Sequence, residues 1–194
     1  MSLQFKLAIR GLVARLTSHP IVRIGKDEKG VAIVEFALIF PLLLLALLGS
    51  VDVTRAMMAD RKLSAMASSV GDLVAREEAM QSGTMDQIFD AVAPLMTPYN
   101  ADLADIRVTS LRVEENGGEK RARVEWSRAR NMAGLADDAI VDVPEALLQN
   151  TLGLVYVEGA YEYQPLFGLV LSSSIQFSED LYFVPRVSAV IEME

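Results

Sequence analysis

Glu35 is the residue whose chemistry fits its surroundings least, because it is the only charge in the nineteen-residue run VAIVEFALIFPLLLLALLG, Val31 to Gly49. An ionised carboxylate at the centre of a bilayer-spanning helix costs about 2.5–3.5 kcal/mol on insertion scales. Glu35 lies only one turn into the run, where it can reach lipid headgroups at little cost, and on that residue alone the interface reading is the better one. Gly30, immediately before the run, opens a second reading. A chain cut after Gly30 would begin with a free α-amine on Val31, four residues and one helical turn from Glu35 on the same face. Opposite charges placed that way, within one chain or between packed chains, neutralise each other and turn a buried charge into an assembly device.

Little other chemistry is legible. The only histidine is His19 and there is no cysteine. A chain starting at Val31 would therefore lack the usual general base, thiol nucleophile and zinc ligands. No phosphate-binding loop, dinucleotide glycine motif or Gly-x-Ser-x-Gly elbow is present. Asp137, Asp138 and Asp142 could offer oxygen ligands, but their spacing does not match a calcium-binding loop, so they read as a solvated acidic loop. Arg121, Arg123, Arg128 and Arg130 read as one exposed strand face paired with nearby acids, with binding to an anionic polymer as the lesser alternative. No catalytic residue, metal or cofactor is expected, and the chain does not read as an enzyme.

These residues need elements to position them. The chain has 194 residues, 52% of them hydrophobic and 23% charged. That leaves room for one ordinary folded domain beside an apolar segment. At about 1.5 Å per residue, a helix over Val31–Gly49 spans roughly 28 Å, which matches a bilayer core. A buried helix in a soluble protein is the plainer alternative, but the run is apolar on all faces with no polar stripe, which favours the membrane span. A secretory signal peptide is the rival, but its apolar core is usually shorter.

The net charge of −8 is unevenly spread. Lys6, Arg10, Arg15, Arg23, Lys26 and Lys29 precede the apolar run, and such a bias holds that side in the cytoplasm, with the C-terminal part exported. The exported part is acidic, which argues against nucleic acid as a partner.

Beyond Asp52, small or apolar residues recur at Ala56, Ala59, Leu63, Met66, Val70 and Leu73, three and four apart. One helix over about 31–77 is expected, with Pro41 kinking or loosening it. A short helix follows Gln81-Ser82-Gly83, capped by Thr84 and reaching towards Met96, with Pro94 favouring an early end. Residues 106–126 read as a β-hairpin around Asn116-Gly117-Gly118. After an irregular stretch, Pro144-Glu145 starts a short helix. Leu154–Tyr163, Ser173–Val184 and Arg186–Ile191 read as strands. The aromatic set Tyr156, Tyr161, Tyr163, Phe167, Phe177, Tyr182 and Phe183 reads as packing for the sheet and its rim rather than a binding surface. The fold class is α+β: a long N-terminal transmembrane helix continuing into a stalk, then a small, mainly antiparallel sheet domain with short helices. The expected divisions are a basic leader over 1–30, the transmembrane helix over 31–53, a helical stalk over 54–80 and the exported domain over 81–194.

The sequence around the apolar run carries a resemblance. Lys29-Gly30, then Val31-Ala32-Ile33-Val34, then Glu35-Phe36 resembles the processing site of type IVb prepilins. The fuller string GVAIVEFALIFPLLLLALLGSVDVTRA, residues 30–56, is similar to TadE-like minor pilins in its Glu-Phe pair, in Pro41 followed by leucines, and in Gly49 and Arg55. Asp52 stands where that family more often has Glu. The resemblance implies cleavage between Gly30 and Val31 by a membrane aspartic prepilin peptidase at the cytoplasmic face. It also implies helix packing through Glu35, Phe36 and Pro41, with other pilins and the inner-membrane proteins of the tight-adherence (Tad, or Flp) pilus as partners. The expected location is the bacterial inner membrane, N-terminus cytoplasmic and C-terminal domain periplasmic, with membrane lipid as a further partner and adhesion as the end of the process. A membrane-tethered binding or adhesin module, with no processing and an incidental Glu35, is the alternative.

Overall fold

The computed structural model of the chain describes residues 28–149 and 151–194. The basic arm with its topological signal therefore lies outside the described residues, apart from its last residues. Two compact units are distinguished, dividing between Leu47 and Leu48.

The first unit's described part is the opening of α1 (Glu28–Val74), a helix of 47 residues. Its leucine- and alanine-rich sequence has high helix propensity and no polar stripe. The helix runs through Pro41 without a break, although the ring removes the N–H that would serve the carbonyl of Ala37. Within Gly30–Val74 an 18-residue window reaches a mean hydropathy of 2.8, and none of that window is buried against the protein. By length and composition this helix is able to cross a membrane, as a membrane anchor would.

The second unit begins with the rest of α1. Gly49, Asp52, Ala56, Ala59, Leu63, Met66, Ala67, Val70 and Val74 are buried and recur at helical spacing, forming one seam. The expected seam is present with one correction. Leu73 is exposed and Val74 is fully buried in its place, because positions seven apart fall behind by about 20° per heptad on a straight α-helix, so the buried line moves on by one residue, through Ala67 to Val74. The helix closes as Arg76 and Glu77 donate to the carbonyls of Leu73 and Val74 at 3.2 and 3.0 Å, a tightened last turn.

After β1 (Ala79–Met80), α2 spans Ser82–Val92 and tightens into a 3₁₀ turn over Ala93–Met96. Gln81, not Thr84, occupies the N-cap, and its side chain makes no capping bond. A second 3₁₀ turn, Ala101–Leu103, leads into β2 (Ala104–Asn116) and β3 (Glu119–Arg130). These pair as the expected hairpin, Asn116 facing Glu119 across Gly117 and Gly118. The two glycines have φ of 65° and 88°, the left-handed pair that a two-residue hairpin turn requires.

The short β4 (Ile140–Val141) and α3 (Glu145–Leu148) follow, then β5 (Gly153–Tyr163) and β6 (Ile175–Phe183). The five strands form an antiparallel sheet in the order β4-β3-β2-β5-β6. Strand alternation divides the core between the two faces of this sheet. One cluster joins Ile106, Val108, Trp126, Val155, Val157, Tyr161 and Tyr163 to the α1 seam and α2. A smaller cluster joins Leu111, Ala122, Val124 and Leu154 to Val143 and Leu148.

Residues 186–191 do not form the expected strand. They bend across the sheet, and only β7 (Glu192–Met193) pairs, in parallel with β1. Pro185 has no N–H for a ladder. The carbonyl of buried Ile191 is instead taken by Ser110 Oγ at 2.8 Å and Trp126 Nε1 at 2.7 Å.

Candidate functional site

Two regions of α1 carry unusual side chains. The first is Gly30 to Pro41, where Gly30 and Val31 lie in the opening turns of the helix and Glu35 sits one turn after Val31. Gly30, Val31, Glu35, Phe36 and Pro41 are all exposed within the described residues. Among the described residues, a Cβ placed on Gly30 would meet nothing within 4 Å. Packing among the described residues therefore makes no demand for glycine there. The rings of Phe36 and Phe40 lie 5.5 Å apart, tilted by 36°, forming one aromatic ridge at the i, i+4 spacing. Glu35 has no ion pair among the described residues.

The second region is Asp52, which sequence reasoning noted only as a variant position. It is fully buried, and its carboxylate accepts three consecutive backbone amides. Oδ1 receives the N–H of Leu166 at 3.0 Å and of Phe167 at 3.1 Å, and Oδ2 that of Gly168 at 3.1 Å. A carboxylate is too costly to bury without partners, and three charge-assisted bonds supply them. Successive amides pointing into one concavity form an anion nest, and Gly168 at φ 64° provides its left-handed corner. The Tyr163 hydroxyl donates to the Asp52 backbone carbonyl at 3.4 Å, and burial pushes its pKa up.

One turn before Asp52, a Cβ on Gly49 would lie 2.6 Å from Cγ2 of Val170. Glycine lets the β5–β6 loop, residues 164–174, close onto the helix there. The sequence held a signal for this: Asp52 is a charged residue in register with the apolar seam at Ala56, Ala59 and Leu63.

The arginines of β3 do share one sheet face, for a reason the sequence did not reveal. A bulge opposite Ser110/Leu111 leaves Glu125 unpaired, so odd-numbered Arg121 and Arg123 face the same way as even-numbered Arg128 and Arg130. Arg121 pairs with Glu119, Arg123 with Glu114 and Arg130 with Asp90, at 2.9, 3.1 and 2.8 Å. The Arg128 guanidinium donates to the carbonyl of Ser127 and makes no ion pair among the described residues. Arg112 bridges Glu114 and Glu125 and reaches Asp138 at 3.5 Å. Its hydrogen bond and that from Arg123 hold the Glu114 carboxyl below its ordinary range. Among the described residues, no three His, Cys, Asp or Glu side chains converge as a metal site would require.

The expected aromatic packing holds for most of the set. Tyr161 and Tyr163 are buried, Phe177 and Phe183 pack against the same cluster, and Tyr156 stacks on Tyr182 at 4.7 Å on the other face. Phe167 differs, standing exposed in the loop after β5.

Residues 30–71 match a family model described as TadE-like protein. The chain carries a TadE-like segment. The match begins at Gly30 and takes in the apolar run, Gly49, Asp52 and the helical seam as far as Gly71. No curated protein and no solved structure matches the chain. The match thus lies within α1 and does not reach the strands that follow it.

Proposed function

We propose that this TadE-like chain is a minor pilin of a Tad-type pilus, processed by a prepilin peptidase between Gly30 and Val31 and acting through lateral helix packing rather than catalysis. The observation that carries the reading is that the family match begins at Gly30, a glycine for which the described residues show no packing use. A peptidase that must bring its catalytic groups up to the backbone would have such a use, since glycine permits close approach.

Processing would give Val31 an α-amine one turn from Glu35. The charge on Glu35 would then be neutralised by that amine, in the same chain or in a neighbouring pilin. The exposed Phe36–Phe40 ridge and the leucines after Pro41 would form the packing surface, where association in lipid depends on fit because lipid tails are as apolar as leucine. The leader would remain cytoplasmic, and the sheet unit would lie in the periplasm, selecting partners among other pilins and the inner-membrane assembly proteins. Adhesion would follow from the fibre.

The test is co-purification. Glu35→Gln should insert in the membrane as wild type does, yet recover less of the partner pilins from membrane extracts. Full insertion with unchanged partner recovery would count against the packing role and favour a tethered binding module.

A further inference from the structure

We infer that the loop joining β5 to β6 is a second membrane contact, inserted into the interfacial layer of the bilayer and held at that height by Asp52. This inference rests on membrane anchoring by α1 and is independent of processing and of pilus assembly.

The loop's composition is the first observation. In Leu166-Phe167-Gly168-Leu169-Val170 every residue but the glycine is large and apolar, and the four side chains are 58%, 43%, 56% and 52% exposed. A loop facing water gains nothing from such a cluster, and contiguous exposed apolar surface marks a contact with something apolar.

The second observation is that the backbone is fixed. The three amides given to Asp52 and the seating of Val170 over Gly49 hold the loop in one geometry, so its apolar tips are presented rather than tucked away. Fixing the backbone beforehand lowers the ordering cost of any contact the tips make.

Position selects the occupant. Gly49 is the last residue of the apolar run and Asp52 the first charged residue after it. At about 1.5 Å of rise per residue they lie roughly 4.5 Å apart along the helix. A loop tied to both sits where a spanning helix leaves the hydrocarbon, continuous with the lipid surface. Its surroundings suit headgroups: Arg55, Tyr99, Leu103, Glu162, Tyr163 and Leu166 line an open cavity of about 340 Å³. Arg and Tyr side chains combine apolar bodies with polar tips and favour this depth. Arg55 has no ion pair among the described residues.

The absence of cysteine makes the test direct. The full chain is prepared as Leu169→Cys, Glu119→Cys or Leu43→Cys, labelled with a nitroxide and reconstituted at one copy per nanodisc of phosphatidylethanolamine and phosphatidylglycerol. Power saturation then compares access of oxygen with access of a water-soluble nickel chelate. The Leu43 label reports whether α1 spans the bilayer, and the Glu119 label, at the hairpin tip, reports water.

With Leu43 protected, the expected result is loss of nickel access at Leu169 relative to Glu119, to a level between the two references. Adding Asp52→Ala should restore nickel access at Leu169. Equal access at Leu169 and Glu119 while Leu43 is protected overturns the inference. Protection of Leu169 that appears only when several copies share a disc also overturns it, in favour of a contact between chains. Protection that survives Asp52→Ala removes Asp52 as the positioning residue.

Discussion

Asp52 Oδ1 accepts the backbone N–H of Leu166 at 3.0 Å across 114 positions of sequence. With the matching bonds from Phe167 and Gly168, this ties the β5–β6 loop to the helix that precedes the sheet by way of one carboxylate. Bonds to a charged acceptor are worth about 1.5–3 kcal/mol each, and buried amides left without a partner cost a similar amount. Asp52→Ala should therefore lower stability by about 2–4 kcal/mol, allowing for water entering the vacated site. Amide hydrogen exchange checks the mechanism: Leu166, Phe167 and Gly168 should lose protection, while the β2–β3 hairpin keeps its own.

Gly49 and Val170 offer a paired test of how the loop is seated. A Cβ at 2.6 Å from Val170 Cγ2 cannot be accommodated without movement, and overpacking of this kind costs about 1–3 kcal/mol. Gly49→Ala should make the loop more susceptible to proteolysis. Val170→Ala added to it should restore much of the resistance, giving a coupling that two independent sites would not show.

Ile191 secures the C-terminal segment. Its side chain is fully buried and its carbonyl accepts from both Ser110 and Trp126. Ile191→Ala should cost about 2–4 kcal/mol through the cavity it leaves. Trp126, the only tryptophan, should report the loosening as a red shift of its fluorescence.

Much of the fold could be read from pattern. The seam from Ala56 to Val70 and the Gly117-Gly118 turn follow from periods of three to four and from turn chemistry. What escaped was set by contacts between distant segments. Leu73 and Val74 are both apolar neighbours, and only the placement of the seam decides which is buried. Residues 186–191 have strand-like composition, but Ser110 and Trp126 take the Ile191 carbonyl that a ladder would have used. The bulge at Glu125 puts four arginines on one face although their numbers differ in parity. Asp52 could be recognised as a charge on an apolar seam, but its partners are backbone amides, whose arrangement no side-chain pattern encodes.

Alkaline pH should weaken the sheet unit. Burial, ahead of any other cause, pushes the hydroxyl pKa of Tyr156, Tyr161, Tyr163 and Tyr182 above the ordinary value of 10.0. The neutral forms are thus favoured in the folded state. Their stabilising contribution is fully present below the unfolded-state pKa, and it is lost as pH rises from there through the folded values. Urea midpoints of the detergent-solubilised chain should stay level from pH 8 to about 9.5 and fall above about pH 10, the ordinary Tyr range. Tyr156→Phe, which also removes the 2.9 Å bond to Asp180, should make the fall shallower.

Processing at Gly30 is read from the N-terminal sequence and intact mass of the membrane-extracted protein. The chain is expressed with and without a prepilin peptidase known to process another pilin, with Gly30→Leu as the control. A processed minor pilin shows a peptidase-dependent start at Val31, abolished by Gly30→Leu. An intact Met1 start under both conditions, while the other pilin is cleaved, would contradict it and leave Glu35 as an interface residue of a tethered module.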